Sequence, residues 1–155
     1  MTSSDKPGDS DKNSDWGQLA LVIDTSAWMR ADHPQVIDRW SQAVRTGRLR
    51  VSSMVRLEIL YAARDGKRFN AAAEELSALA AAPLTRSVLQ AAEVCMRTLA
   101  HRSAGAHRIP LTDYLTAAAA QETGAAVLHY DHDYDTLAEV MEFESIWLAP
   151  AGSLP

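Results

Sequence analysis

Seven residues near the carboxyl end of the chain, residues 129–135, hold three carboxylates and two imidazoles in the order HYDHDYD. They follow a short apolar run, residues 125–128, of the kind that forms a buried strand. Metal-capable side chains at a strand's end indicate a nitrogen site for zinc, an oxygen site for Mg²⁺, or only a polar turn. The positions of the other acidic residues and histidines distinguish between these three alternatives.

Further carboxylates occur at the predicted ends of secondary-structure elements. Asp24 ends an apolar run, residues 18–24, and Asp113 follows Thr112 at the predicted start of a helix. Taken singly, each has an ordinary explanation, because Asp and Thr cap helices and an Asp in the first turn complements the helix dipole. Asp131, considered alone, is likewise explained as part of a polar turn.

Glu58 is harder to explain in this way. Its predicted helical neighbours are apolar, among them Met54 and Tyr61, and no basic residue lies three or four positions away. We therefore expect a buried carboxylate without a local partner, which is costly unless a cation binds it. Two carboxylates about 5 Å apart repel by roughly 3 kcal/mol at an effective dielectric near 20, so a cluster of them also requires a cation or protons.

Oxygen ligands of this kind favour Mg²⁺ or Mn²⁺. The histidines show no paired metal-binding spacing and Cys95 is the single cysteine, which argues against zinc. His129 lies two residues before Asp131, so strand alternation sends both to one side, where His129 either lines the pocket or is solvated.

The elements that must position these residues follow from the apolar pattern. Residues 18–24, 49–53, 125–130 and 145–148 are predicted strands, and the principal helices are predicted at residues 34–46, 54–65, 67–82, 86–104 and 112–123. Strands alternating with helices predict a parallel α/β sheet covered on both faces. Ligands of such sheets bind beyond the carboxyl ends of the strands, so Asp24 and Asp131 are predicted to share one site.

Length and composition bound the organisation of the chain. Its 155 residues, 47% hydrophobic and 23% charged, suit one globular domain. No apolar run approaches the roughly 18 residues of a membrane span, and a single cysteine fits a reduced, cytoplasmic compartment. Residues 1–15 have Met1 as their one apolar residue. We expect a disordered tail at residues 1–17, a domain at 18–150 and a C-terminal tail at 151–155.

The charge distribution is uneven. The net charge is −5, yet residues 39–68 contain eight basic and two acidic residues, a local charge of +6. Such a segment is either a set of solvated helix faces or a strip for phosphate contacts. Arg64, Lys67 and Arg68 follow closely after Glu58 and are the candidates for such phosphate contacts.

Three stretches carry a resemblance to a known family: LVIDTSAW, VRLEILYA and LTDYLTAAAAQETGAAVLHYDHDY. Over residues 19–148 the sequence resembles a PIN domain, and within that superfamily a VapC-type toxin of a toxin–antitoxin pair. The resemblance implies a three-layer α/β sandwich, with a short parallel sheet of four or five strands between helices.

The resemblance also implies site residues, cofactors and partners. It implies a Mg²⁺-dependent endoribonuclease, with Mn²⁺ as a substitute, acting on RNA such as a transfer RNA. A homodimer and a cognate antitoxin are expected. The implied catalytic residues are Asp24, Glu58, Asp113 and Asp131; the implied metal ligands are Asp24, Asp113, Asp131 and Asp133.

Two nearby positions complete the comparison with the family. Ser26 falls where the family often has a small hydroxyl near the metal, and His129 replaces a usual Thr. Ser26 and His129 are therefore expected to support the ligands without binding the ion. Tyr134 replaces a common Phe.

Other activities fit less well. A haloacid-dehalogenase-like phosphatase requires a second Asp two residues after Asp24, where Ser26 stands. A phospho-receiver domain requires a late lysine, and no lysine follows Lys67. The remaining alternative is a PIN fold that binds RNA or a partner without cleavage.

Overall fold

The computed structural model describes residues 15–155 and contains a five-stranded, wholly parallel sheet in the order β3-β2-β1-β4-β5. The strands are β1 (Leu21–Ile23), β2 (Leu49–Ser52), β3 (Ala80–Ala82), β4 (Ala126–His129) and β5 (Glu144–Trp147). The helices are α1 (Thr25–Trp28), α2 (Ile37–Arg45), α3 (Ser53–Tyr61), α4 (Gly66–Ser77), α5 (Arg86–Arg102), α6 (Leu111–Thr123) and α7 (Asp133–Ala138). Among these helices, none is long and apolar enough to cross a membrane.

The sheet separates two hydrophobic cores. Leu21 and Ile23 of β1 pack into one core with α2 and α3, whereas Val22 packs into the other with α5 and α6. All three residues are fully buried, which explains why a central parallel strand is a continuous apolar run. The predicted three-layer α/β fold is confirmed.

Strand β3 differs from the sequence prediction. Residues 67–82 were predicted as one helix because alanine favours helices, but α4 ends at Ser77 and Ala80–Ala82 pair with β2. Ala82 is buried against the α5–α6 core. The pairing with β2 outweighs the local preference of an alanine run, and it supplies the fifth strand.

Both predicted tails reach into the domain. Residues 1–14 of the predicted N-terminal tail lie outside the described residues, but Trp16 is buried and its Nε1–H donates to the carbonyl oxygen of Leu148. At the other end Leu154 is buried, and its backbone N–H donates to the hydroxyl of Tyr130. The ordered domain is therefore wider than residues 18–150.

Candidate metal centre and active site

Asp24 lies at the carboxyl end of β1 and caps helix α1. Its Oδ2 accepts hydrogen bonds from the backbone N–H of Ser26 (3.1 Å) and from the Ser26 hydroxyl (2.5 Å). The backbone N–H of Asp24 donates to the carbonyl oxygen of Leu128 on the neighbouring strand β4. The capping role expected of an isolated Asp is present, but it uses only one of the two carboxylate oxygens.

Ser26 connects the ends of β1 and β4. Its hydroxyl donates to Asp24 and accepts the backbone N–H of Tyr130 at 2.9 Å. The carboxylate of Asp24 is thereby held to the segment that carries Asp131. This contact matches the supporting position in which the sequence placed Ser26.

The segment after β4 is folded so that two carboxylates face the same space. The backbone N–H of Asp131 donates to Nδ1 of His129 (3.1 Å), and Oδ1 of Asp131 accepts the backbone N–H of Asp133 (2.9 Å). Such a turn, closed by an Asp side chain two residues back, is a preferred conformation of Asp. It carries Asp133 into the first turn of α7.

Asp113 lies in the first turn of α6. The sequence predicted that Thr112 or Asp113 caps the helix, which was wrong: Pro110 occupies the cap position, and no side chain makes a capping hydrogen bond. Asp113 is 6% exposed, and its buried Oδ2 has no hydrogen-bond partner. Since a buried polar atom without a partner is rare, this oxygen points to a ligand.

Three of the predicted ligands form one group. Carboxylate oxygens of Asp113, Asp131 and Asp133 all lie within 4.8 Å of one another. Burial raises the pKa of Asp113 to about 8, with further contributions from the charges of Asp24, Asp131 and Asp133. Burial, followed by the charge of Asp131, also raises the pKa of Asp133. At neutral pH the group therefore favours either a bound proton or a cation.

The surroundings of Glu58 differ from the prediction of a buried carboxylate without a local partner. Glu58 is exposed, not buried, and its apolar neighbours Leu57 and Tyr61 are 62% and 92% exposed. Its carboxylate is also not without partners. The hydroxyl of Thr25 donates to Oε1 at 2.5 Å, and that of Thr112 donates to Oε2 at 2.6 Å.

These two threonines nevertheless place Glu58 at the site. Thr25 directly follows Asp24, and Thr112 directly precedes Asp113. A carboxylate held by both hydroxyls is attached to the two elements that carry those aspartates. Glu58 therefore lies near the other acids because two threonine hydroxyls hold it there. It is not the buried carboxylate in need of a cation that the sequence predicted.

His129 is fully buried, so the alternative of a solvated imidazole was wrong. Its ring packs against Tyr134 and Trp147, with centroids 4.8 and 5.0 Å away. Burial lowers the pKa of His129 to about 4, so the ring is neutral. Because Nδ1 accepts the Asp131 N–H, Nε2 carries the proton and donates to the Ser145 hydroxyl at 2.7 Å.

This hydrogen-bonded chain continues to the surface. The Ser145 hydroxyl donates to Asp135 at 2.9 Å, and the indole N–H of Trp147 donates to the same carboxylate at 3.1 Å. Asp135, in the first turn of α7, therefore anchors strand β5. Both nitrogens of His129 are engaged, and the imidazole acts on the site by orienting the backbone of Asp131.

Tyr134 is the site residue that sequence reasoning missed. Its side chain is fully buried, and its hydroxyl donates to Oδ1 of Asp24 at 2.7 Å and lies 3.3 Å from Oδ1 of Asp113. Burial, followed by the charges of Asp24 and Asp113, raises the pKa of Tyr134 well above its usual value. The available signal was the hydroxyl itself, since a buried tyrosine requires a hydrogen-bond partner where a phenylalanine does not.

The donor set fits a hard divalent cation. Within residues 15–155, the group of three potential metal ligands is wholly acidic and includes an oxygen that lacks any partner. The nearby imidazole has no free nitrogen to offer. Carboxylate oxygens without nitrogen or sulfur ligands suit Mg²⁺ or Mn²⁺ rather than zinc.

The basic segment does not form one continuous strip. Arg48 lies at the amino end of β2, where it donates to the carbonyl oxygens of Trp16 and Leu19. This is the edge of the sheet opposite the acids, which follow the carboxyl ends of β1 and β4. Arg64 and Lys67 are exposed in the region joining α3 and α4, and Arg68 pairs with Asp65 at 3.3 Å.

Residues 21–140 match the family model of the PIN domain. The chain belongs to the PIN-domain family. This PIN domain is 36% identical over 137 residues to ribonuclease VapC18 of Mycobacterium tuberculosis, a match that covers 88% of this chain and all of that protein. It is 34% identical over 136 residues to ribonuclease VapC51 of the same organism, covering 88% of this chain and 98% of that protein.

The fold of the PIN domain is also found in a solved complex. The crystal structure of DNA-bound VapBC from Salmonella typhimurium superimposes with a TM-score of 0.68 at 17% identity. The match covers 85% of this chain and all of the solved one. The family predicted from the three sequence stretches is thus confirmed, and the matched residues 21–140 contain every acidic residue of the candidate site.

Proposed function

We propose that this PIN-domain protein is a Mg²⁺- or Mn²⁺-dependent endoribonuclease that acts as the toxin of a toxin–antitoxin pair. The observation that carries the proposal is the buried, partnerless oxygen of Asp113, grouped with Asp131 and Asp133. The names of the VapC relatives, which describe ribonucleases, support the same activity.

In this mechanism Asp113, Asp131 and Asp133 hold the cation, with Asp24 as a further ligand beside Asp113. A bound divalent ion supplies Lewis-acid activation of water and neutralises charge that develops on the phosphate oxygens. Ser26 and His129 hold Asp24 and the Asp131 backbone in place.

Glu58 has a different part in the proposal. It is exposed and fixed by two hydroxyl donors, yet each of its oxygens retains a lone pair for a water or a ribose hydroxyl. It therefore orients the attacking water or accepts a proton from it. Glu58 completes the catalytic set with Asp24, Asp113 and Asp131.

The substrate and partners are proposed from the resemblance to VapC-type toxins together with the exposed surface. Arg64, Lys67 and Arg68 are exposed close after the Glu58 helix, where they contact RNA phosphates in this proposal. A structured substrate such as a transfer RNA is recognised by shape and loop bases. The protein forms a homodimer in the cytoplasm, and a cognate antitoxin binds the apolar side of α3 and α4, where Leu57 and Tyr61 are exposed.

The deciding experiment is incubation of the purified protein with total RNA and Mg²⁺, with and without EDTA, followed by mapping of the new ends. We expect cleavage that EDTA abolishes, leaving 5′ phosphates and 3′ hydroxyls. Asp24→Asn is expected to remove cleavage while the protein remains folded. Asp38→Asn, an exposed Asp in the first turn of α2, is the matched control and keeps activity.

Two outcomes would contradict the proposal. Full activity in Asp24→Asn would exclude Asp24 from the mechanism. Binding of RNA by the wild-type chain without any metal-dependent cleavage would favour the alternative of a PIN fold that binds but does not cut.

A further inference from the structure

Tyr134 lies between two carboxylates that come from distant parts of the chain. Its phenol oxygen is 2.7 Å from Oδ1 of Asp24 and 3.3 Å from Oδ1 of Asp113. The two carboxylate oxygens can therefore be no further apart than these two distances added together. A phenylalanine ring in the same place would set no such limit.

The phenol also completes the fixation of Asp24. Ser26 occupies Oδ2 of this carboxylate through its N–H and its hydroxyl, and Tyr134 occupies Oδ1. With both oxygens bound, neither rotation about the side-chain bonds nor displacement of the carboxylate is free. The phenol has one proton, and it donates its shorter hydrogen bond to Asp24; Oδ2 of Asp113, which the phenol does not contact, has no hydrogen-bond partner and is available for another ligand.

The tyrosine itself is held rigidly. Its ring is fully buried and packs at 4.8 Å against the imidazole of His129, which in turn orients the backbone of Asp131. Tyr134 and His129 together thus contact Asp24, Asp113 and the backbone of Asp131. Its hydroxyl position is set by this packing rather than by the carboxylates.

We propose that Tyr134 is a positioning residue whose hydroxyl fixes Asp24 relative to Asp113 and so preorganises the cation site. This inference rests on the proposed metal-dependent function and adds to it a residue that is not itself a ligand. A site with preordered ligands binds its ion more tightly than one in which the ion must order a side chain. Displacement of a catalytic group by about 1 Å costs up to about 100-fold in rate.

The test is Tyr134→Phe, which removes one oxygen and keeps the ring. Tyr114→Phe is the matched control: Tyr114 is 1% exposed, lies on α6 next to Asp113, and donates its hydroxyl to the backbone carbonyl of His107. Mn²⁺ binding is measured directly by the loss of the free-ion electron paramagnetic resonance signal. We expect the half-saturating Mn²⁺ concentration to rise about tenfold in Tyr134→Phe and to stay unchanged in Tyr114→Phe.

Cleavage provides a second readout. In Tyr134→Phe we expect kcat to fall at least about tenfold with an unchanged KM for RNA, because the hydroxyl contacts ligands and not substrate. Equal Mn²⁺ midpoints in the two variants would overturn the inference. If the wild-type chain binds Mn²⁺ but does not cleave RNA, the proposed ribonuclease function is wrong. The role of Tyr134 is then still tested by comparing the Mn²⁺ midpoints of the two variants. A chain that binds no Mn²⁺ at millimolar concentrations would overturn both.

Discussion

Competition between a proton and a metal ion at Asp113 gives a quantitative prediction. With a pKa of about 8, Asp113 is protonated in about half of the molecules at pH 8 and in about 99% at pH 6. An ion that requires the ionised carboxylate must displace this proton. Its apparent affinity is then about 50-fold weaker at pH 6 than at pH 8, and still at least about tenfold weaker once solvent screening is allowed for.

The same proton affects stability without metal. The folded protein keeps the Asp113 proton up to about pH 8, whereas the unfolded chain releases it near pH 3.8, so the metal-free protein is destabilised as the pH rises from about 4 to 8. This loss comes from the burial of the ionised Asp113 carboxylate and from its repulsion by the neighbouring acids, and a bound ion offsets both. The increase in Tm produced by Mg²⁺ is therefore expected to be larger at pH 8 than at pH 6.

The assay is titration with Mn²⁺ at pH 6, 7 and 8 at constant ionic strength, followed by the free-ion resonance signal and by thermal unfolding. Asp113→Asn is the control, since an amide does not ionise and its remaining metal affinity should lose most of the pH dependence. An equal Mn²⁺ dissociation constant for the wild-type chain at pH 6 and pH 8 would refute the reasoning.

Two further predictions concern the residues that hold the acids. Thr112→Val removes one of the two hydroxyls bound to Glu58 and should lower the rate of RNA cleavage about tenfold. Thr112→Ser keeps a hydroxyl and should retain the wild-type rate. Equal rates for the two variants would contradict the role of the hydroxyl. His129→Phe leaves the Asp131 N–H unpaired and should lower the free energy of unfolding, measured with urea at pH 7, by about 1–3 kcal/mol. Because the folded-state pKa of His129 is about 4, its contribution to stability rises with pH from about 4 to 6.5, and the variant should lack that rise.

Much of the fold was predictable from local pattern. Apolar runs such as Leu21–Ile23 are long enough and pure enough to indicate a central parallel strand, and the alternation of strands with helices indicates the layers. Ala80–Ala82 were not predictable in this way. Three alanines carry no β-pattern, and only pairing with β2 makes them a strand.

The site was predictable in its members but not in its contacts. Asp24 and Asp131 were expected to meet because their strands end at the carboxyl edge of a parallel sheet, whereas Asp113 and Asp133 were implied by the resemblance to PIN domains. Glu58 was selected on the expectation of burial, yet it is exposed and held by hydroxyls.

The sequence by itself determined most of the secondary structure and the parallel arrangement of the strands, because these depend on patterns within a few residues and on the chirality of strand connections. The tertiary structure alone decided which carboxylate lacks a partner and which hydroxyl connects two of them. Tyr134 and Asp24 are 110 positions apart. A hydrogen bond between such residues depends on the packing of side chains from both cores, to which no local pattern corresponds.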